Sequence, residues 1–77
     1  MNEPLNRITV NPRQMGGRPC VRGIHITVAN VLRLLAAGHS HERILAAYPE
    51  LETADIMACI QYASVLTDDR ELVLNPV

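Results

Sequence analysis

Apolar and polar residues alternate in two short stretches near the start of the chain. In RITV (7–10) polar and apolar residues alternate, as in a half-buried strand, and the Asn-Pro that follows ends the pattern. In GIHIT (23–27), Ile24 and Ile26 fall on one face and His25 on the other. The pattern predicts two short paired strands with a glycine-containing loop between them.

The apolar spacing changes to that of a helix after Thr27. Apolar residues recur at i, i+3, i+4 and i+7, namely Val28, Val31, Leu32 and Leu35. The Thr27 hydroxyl can accept a hydrogen bond from a free N–H of the first turn, and Gly38 tolerates the left-handed geometry that ends helices. We therefore predict a first amphipathic helix between Thr27 and Gly38.

The second half of the chain predicts two more helices. Ser40 can cap a helix whose apolar face runs to Tyr48, before Pro49 ends it. Thr53 is predicted to cap a third helix, with Asp55 near its positive N-terminal end.

The third helix is apolar around most of its circumference. Ile56, Ile60 and Ala63 form one stripe, and a second stripe is formed by Cys59, Tyr62, Ala63 and Leu66. A helix of this kind is usually buried on two sides. We expect one side to face the other helices and the other to face a second subunit, with a dimer interface at Cys59, Tyr62, Ala63 and Leu66. The positions predicted to be exposed are Glu52, Asp55, Gln61 and Ser64.

These elements predict a mainly α fold: a three-helix, helix-turn-helix-like bundle with short N-terminal β-strands. ELVL (71–74) alternates again and could form a C-terminal strand. We divide the single predicted domain into strands and a Gly/Arg loop (7–26), the bundle (27–66) and a tail (67–77). The chain has 77 residues, 48% of them apolar, without Phe or Trp. So small a core favours a homodimer.

Charged residues are distributed unevenly along the chain. From Pro4 to His41 there are five Arg and no Asp or Glu, whereas residues 42–77 carry seven acids and two Arg. This asymmetry favours a nucleic-acid or acidic partner for the first half. The alternative is that the two halves neutralise each other, within one subunit or across a dimer.

The candidates for binding double-stranded DNA lie in the first half: Arg13, Arg18, Arg22, His25 and Arg33. Guanidinium groups suit phosphate and carboxylate. The third helix, which reads the major groove in helix-turn-helix proteins, contains no Arg or Lys. Any DNA contact is therefore expected from the arginines of the first half. For Arg22 the alternative is a structural role, in which its side chain bonds loop carbonyls and fixes the turn.

The residue types of catalytic and metal sites are few: His25, His39, His41, Cys20 and Cys59. His39 and His41 straddle a predicted helix start and lack the i, i+4 spacing of a helical zinc pair. No Ser or Cys has the context of an activated nucleophile. We expect no catalytic residue, no metal and no cofactor. The absence of a signal-peptide or membrane-spanning pattern, with two unpaired Cys, favours a cytoplasmic protein.

The stretch from Gly16 to Ala63, GGRPCVRGIHITVANVLRLLAAGHSHERILAAYPELETADIMACIQYA, resembles the bacterial domain of unknown function 433 family. That family has Gly-Gly-basic-Pro, then Arg-Gly-Thr-Arg-Ile-Thr-Val, a helix, Ala-Gly, a helix, Tyr-Pro-x-Leu and a final helix. The resemblance extends over residues 8 to about 66. Where the family has Thr-Arg this chain has Ile24-His25, so histidine replaces an arginine at a basic position.

The resemblance implies a helix-turn-helix-like bundle and a role as an antitoxin of a type II toxin–antitoxin system, encoded beside a PIN-like nuclease toxin. We expect the acidic tail to bind that toxin, through Asp68, Asp69, Arg70, Leu72 and Leu74, and operator DNA to be a second partner. The alternative is a dimeric protein-interaction module with no role in binding DNA.

Overall fold

The computed structural model of the chain describes residues 3–68. Its N-terminal part holds two single-turn 3-10 helices and two short strands, in the order Glu3–Arg7 (3-10), Ile8–Thr9 (β1), Met15–Gly17 (3-10) and Cys20–Val21 (β2). Three helices follow: α1 (Val28–Ala36), α2 (His41–Ala47) and α3 (Thr53–Asp68). The predicted fold class is confirmed: three helices with a short two-stranded N-terminal sheet. The strand predicted at residues 71–74 lies outside the described residues.

The two strands pair antiparallel, with Ile8 opposite Val21 and Thr9 opposite Cys20. The first strand was predicted within residues 7–10, and it is there. The second strand was predicted at residues 23–27, and that position is wrong. It lies three residues earlier, because Arg22 and Gly23 both adopt a positive φ and turn the chain directly after Val21.

Residues 23–27 nevertheless return to the sheet. Thr27 forms an isolated antiparallel bridge with Cys20, and the Val21 N–H donates to the Ile26 carbonyl at 3.0 Å. Ile26 is buried and His25 is exposed, as their alternation predicts.

The caps predicted for the first two helices are confirmed. The Thr27 hydroxyl accepts from the Asn30 N–H at 3.1 Å, and the Ser40 hydroxyl accepts from the Arg43 N–H at 3.1 Å. Each bond satisfies one of the N–H groups that the first turn of a helix leaves without an intrahelical partner. Local chemistry therefore sets where α1 and α2 begin.

Gly38 ends α1 as predicted, with a φ of 93°. Its N–H donates to the Leu35 carbonyl at 3.0 Å, and the His39 N–H donates to the Leu34 carbonyl at 3.1 Å. This pair of bonds is the Schellman motif, in which a left-handed residue turns the chain out of the helix.

The cap predicted for α3 is wrong. The helix begins at Thr53, so Glu52 occupies the N-cap position, and its N–H donates to the Asp55 carboxylate at 2.8 Å. An acidic side chain at the third helical position that reaches back to the N-cap N–H is one half of a capping box. Asp55 therefore holds the start of α3.

Side chains from β2, the following turn and all three helices meet in one core: Val21, Ile26, Val28, Val31, Ile44, Leu51, Ile56 and Cys59. Cys59 was predicted at a dimer interface, and this position is wrong. Its side chain is fully buried inside the chain's own core and cannot contact a second subunit. Within residues 3–68, no helix is long and apolar enough to cross a bilayer.

Candidate nucleic-acid interface

Asp55 is a fully buried carboxylate that pairs with two arginines of the N-terminal part of the chain, Arg7 and Arg22. Its Oδ1 accepts from Arg22 Nε at 3.0 Å and from Arg7 Nη1 at 2.9 Å. Its Oδ2 accepts from Arg22 Nη2 at 2.8 Å and from the Glu52 N–H. The prediction that Asp55 is exposed is wrong. Its side chain is buried, and these hydrogen bonds stabilise its charge in the interior.

The bonds to Asp55 decide its ionisation. Burial alone raises the pKa of a carboxyl, because desolvation disfavours the charged form. Here the hydrogen bonds from Arg22, the Glu52 N–H and Arg7 outweigh burial and hold the pKa of Asp55 below its ordinary value. The carboxylate is therefore charged at neutral pH and hydrogen-bonded to both arginines.

Arg22 bonds a loop carbonyl, as in the structural role considered for it, and it also pairs with Asp55. Besides binding Asp55, its Nη2 donates to the Glu50 carbonyl at 2.7 Å, so it joins the turn after β2 to the start of α3. Its backbone has a φ of 46°, which is uncommon for any residue with a side chain. A conformation of this kind persists where surrounding contacts fix it, and here the bidentate ion pair does so.

The first half of the chain therefore uses two of its five arginines to neutralise acids of the second half. Arg7 also pairs with Glu52 at 2.8 Å. The neutralisation of one half by the other within a subunit, which the sequence left open, holds for Arg7 and Arg22. Among residues 3–68 the structure records no ion pair for the other three arginines of the first half, Arg13, Arg18 and Arg33.

Three of the predicted DNA-binding residues line one open cleft of about 250 Å3. We call it the basic cleft; its lining consists of Met15, Arg18, His25, Ile26, Thr27, Asn30, Arg33 and Tyr48. Arg18, His25 and Arg33 are exposed, and among residues 3–68 no Asp or Glu contributes to the lining. The cleft is therefore an accessible concave site with an excess of positive charge.

Hydrogen bonds join three of the residues that line the basic cleft, Asn30, Arg33 and Tyr48. Asn30 donates through its amide nitrogen to the Tyr48 hydroxyl at 3.1 Å, which joins α1 to the end of α2. The amide oxygen of the same Asn30 accepts from Arg33 Nη1 at 3.5 Å. Asn30 thus contacts both Tyr48 and Arg33, and a guanidinium group in the cleft suits phosphate oxygens.

The other two predicted DNA-binding residues lie elsewhere. Arg13 is exposed in the loop between the strands, where its N–H bonds the Asn11 side chain, and it does not line the cleft. Arg22 is occupied by Asp55. The structure thus brings three of the five predicted DNA-binding residues together in the cleft, and the other two lie outside it.

A second concave surface, which we call the apolar groove, lies between α1 and α3. It has a volume of about 420 Å3 and is lined by Arg18, Pro19, Val28, Ala29, Leu32, Tyr62, Ala63, Leu66 and Thr67. Three of the four residues predicted at a dimer interface, Tyr62, Ala63 and Leu66, line this groove. That interface remains a prediction. Arg18 contributes to both concave surfaces.

The predicted toxin-binding residues are at the end of the described chain and beyond it. Asp68 is the exposed last residue of α3. Asp69, Arg70, Leu72 and Leu74 lie outside the described residues. Their role stays a prediction.

Two features were not predicted from the sequence: the cluster of Arg7, Arg22, Glu52 and Asp55, which we call the Asp55 cluster, and the apolar groove. A signal for the first was present, because an acidic residue three positions after a helix N-cap is typical of a capping box. No local signal reveals the second, since its walls come from separate helices. In the described part of the chain, His, Cys, Asp and Glu do not gather into a group of three that could hold a metal ion.

Comparison with known proteins places this chain among relatives whose roles are not described. A family described as "Protein of unknown function (DUF433)" matches residues 8–63. The chain is similar to the uncharacterized protein y4eO of Sinorhizobium fredii, with 43% identity over 56 residues. That alignment covers 73% of this chain and 25% of the relative, so the chain spans about a quarter of the relative's length.

The fold is similar to that of a solved structure. The crystal structure of a DUF433 member from Anabaena variabilis superposes with a TM-score of 0.76 at 27% sequence identity. The match covers 82% of this chain and 62% of the other, which is therefore the longer protein.

Proposed function

This chain belongs to the DUF433 family, and from that premise we propose that it is a non-catalytic, antitoxin-like component of a toxin–antitoxin pair. In this proposal it contacts the backbone of operator DNA through the basic cleft and acts in the cytoplasm. Its partners are a second copy of itself and a PIN-like nuclease toxin.

The observation that carries the DNA contact is the convergence of Arg18, His25 and Arg33 on one accessible cleft. Arg18 and Arg33 are more than a dozen positions apart in the sequence and come from a loop and a helix. Exposed cations that converge on one concave surface attract an anionic ligand, and the DNA backbone is a regular array of such charges.

The residues of the basic cleft are better suited to contact phosphates than to recognise bases. The usual reading helix, α3, has Asp55 bound to arginines at its start and Asp68 at its end. Among its exposed residues there is no cation to grip a guanine or a phosphate. Phosphate contacts position a protein on DNA without specifying sequence, so shape or a partner would supply specificity.

The toxin contact rests on the family resemblance and on the acidic tail. PIN-like nucleases are metal-dependent as a family, and a segment with three acids is a suitable ligand for such a site. Deletion of residues 67–77 should therefore abolish toxin binding while most of the helical circular dichroism remains.

A salt-dependent binding assay tests the DNA contact. Fluorescence anisotropy with a labelled duplex from the chain's own promoter is measured over a range of salt concentrations. Arg18→Ala and Arg33→Ala should each weaken binding and flatten the slope of log K against log salt by about 0.9, the value for one phosphate contact. Arg43→Ala is the matched control, since it removes the same charge from an exposed site on α2 that does not line the cleft. Equal slopes for all three variants would contradict the proposal.

The apolar groove favours a second candidate function, a protein-interaction module with no DNA role. Its wide apolar lining is suited to a protein partner, and exposed apolar patches on small proteins often mark such contacts. The same assay separates the two, because a pure interaction module would not bind the duplex in a salt-dependent way, and Arg18→Ala and Arg33→Ala would then behave like Arg43→Ala.

A further inference from the structure

Tyr48 connects the hydrophobic core to the basic cleft. Its side chain is half-buried and packs against the core, and its hydroxyl accepts a hydrogen bond from Asn30 Nδ2 at 3.1 Å. Both residues line the cleft. A tyrosine in this position keeps its apolar ring in the interior and its polar tip at the surface. The hydroxyl of Tyr48 therefore belongs to the wall of the cleft.

The direction of the hydrogen bond between Asn30 and Tyr48 follows from the group on the other side of the amide. The Asn30 oxygen faces Arg33 Nη1 at 3.5 Å, and a guanidinium group has donors only. The amide oxygen is therefore directed toward Arg33, which leaves the NH2 group for Tyr48. Since an NH2 group of an amide only donates, the Tyr48 hydroxyl accepts in this bond and keeps its own proton for another partner.

The proton of the Tyr48 hydroxyl has no acceptor among the described residues. Within residues 3–68 the structure records one hydrogen bond at this hydroxyl, the one that it accepts from Asn30. A phenolic hydroxyl can accept and donate at the same time. Tyr48 therefore offers a donor in a cleft to which residues 3–68 contribute two arginines and no acid.

We propose that the Tyr48 hydroxyl donates to a phosphate oxygen in the basic cleft, and that Arg33 binds the same phosphate. Asn30 bonds both groups, so their donors lie on either side of one amide. A phosphate has several acceptor oxygens, and tyrosine hydroxyls are among the groups that contact the backbone of DNA. The inference deepens the DNA contact of the proposed function and rests on it.

An uncharged donor and a cation contribute to such a site in different ways. Arg18 and Arg33 attract an anion through their charge, and salt screens that attraction. A hydrogen bond from a hydroxyl acts only at contact, and its formation releases no counterion. The contribution of Tyr48 to binding should therefore be the same at low and high salt, whereas the contribution of the arginines decreases as salt is added.

Removal of the hydroxyl alone tests the proposal. Tyr48→Phe should weaken binding of the labelled promoter duplex about three- to tenfold, as expected for one lost hydrogen bond, and leave the slope of log K against log salt unchanged. Tyr62→Phe is the matched control, because it removes the same group from a residue that lines the apolar groove and not the cleft. Circular dichroism checks that both variants keep their helices.

Two results of this assay would overturn the inference. The first is equal affinity for Tyr48→Phe and Tyr62→Phe, because the hydroxyl then makes no contact with the ligand. The second is a slope for Tyr48→Phe that is flattened as in Arg33→Ala, because Tyr48 then acts only by positioning the arginine.

A double-variant cycle tests whether Tyr48 and Arg33 bind the same phosphate. In the Arg33→Ala background Tyr48→Phe should reduce the affinity by a smaller factor than it does alone, since groups that share a partner are energetically coupled. Equal factors in the two backgrounds would overturn the shared phosphate.

Inorganic phosphate separates this inference from the DNA contact itself. The full 77-residue chain is titrated with inorganic phosphate, and the NMR shifts of the Asn30 side-chain amide should report binding that Tyr48→Phe weakens and Tyr62→Phe does not. Phosphate binding that depends on Tyr48 in a protein that does not bind the duplex would support the inference and contradict the DNA contact. Duplex binding that depends on Arg18 and Arg33 but not on Tyr48 would contradict the inference alone. Binding of neither ligand would overturn both.

Discussion

Arg22 presents both Nε and Nη2 to the Asp55 carboxylate, at 3.0 and 2.8 Å, across 33 residues of sequence. This bidentate pair joins the turn after β2 to the first turn of α3. The Asp55 side chain is fully buried, whereas the Arg22 side chain is 36% exposed. The two partners therefore respond differently to substitution.

Replacing Asp55 should destabilise the fold more than any other substitution of a charged residue among those described. Asp55→Ala removes the helix cap and all the bonds to two arginines, and we expect a loss of about 3 kcal/mol in the free energy of unfolding. Urea denaturation followed by circular dichroism measures it. Glu52→Gln is the control, since Glu52 is 63% exposed in its pair with Arg7 and such pairs contribute little. Equal losses for the two variants would contradict the assigned role of Asp55.

The stability of the protein should decrease in acid because of Asp55. Its pKa is lower in the folded state than in the unfolded chain, so ionisation of this group stabilises the fold above the unfolded pKa of about 3.9. That stabilisation is lost as the pH falls from about 4 toward the lower folded-state pKa. Urea midpoints between pH 2 and 6 test this. In Asp55→Asn the loss below about pH 4 should be smaller than in the wild type, and an identical pH profile would count against the assignment.

The positive φ of Arg22 predicts that glycine is tolerated there better than alanine. Both Arg22→Gly and Arg22→Ala remove the ion pair, but only alanine keeps a Cβ that disfavours a φ of 46°. Arg22→Gly should therefore unfold at a higher urea concentration than Arg22→Ala. Arg43→Gly and Arg43→Ala provide the opposite case, because Arg43 lies within helix α2, where alanine is the better residue. The same ranking at both positions would contradict a role for backbone strain.

Both cysteines should be unreactive in the folded protein. Burial, together with the nearby charge of Asp55, raises the pKa of the Cys59 thiol to about 11, and Cys20 is also buried. Since the thiolate is the reactive form, alkylation by iodoacetamide at pH 7.5 should be slow in buffer and fast in urea. Mass spectrometry counts the modified thiols. Rapid labelling of Cys59 without denaturant would show that the core opens readily.

The helices could be predicted from the sequence because the signals that position them are local. Thr27 and Ser40 each bond an N–H three residues away, and Gly38 ends α1 through bonds to its own last turn. At α3 the local pattern was ambiguous. Thr53 is a common capping residue, but the bond to the Glu52 N–H comes from Asp55, whose position is also fixed by distant arginines.

The candidate site could be predicted only in part, because its decisive contacts are between residues far apart in sequence. The sequence offers a structural alternative for Arg22, but only the fold shows that Arg22 binds Asp55 and that Arg18 and Arg33 line the basic cleft. Periodicity showed that Leu66 lies on an apolar stripe. It did not show that α3 extends beyond α1 and leaves the end of this stripe uncovered, because that depends on how the helices pack.

Arg18 lies where the basic cleft meets the apolar groove and contributes to both. A partner seated in the groove and a phosphate in the cleft would compete for the same side chain. The two proposed binding events are then thermodynamically linked: each reduces the affinity of the other, and by the same factor. Operator occupancy would then rise less steeply than the concentration of the protein, because an Arg18 that is engaged at the groove is not available to a phosphate. The concentration of the protein would thereby regulate its own binding to DNA.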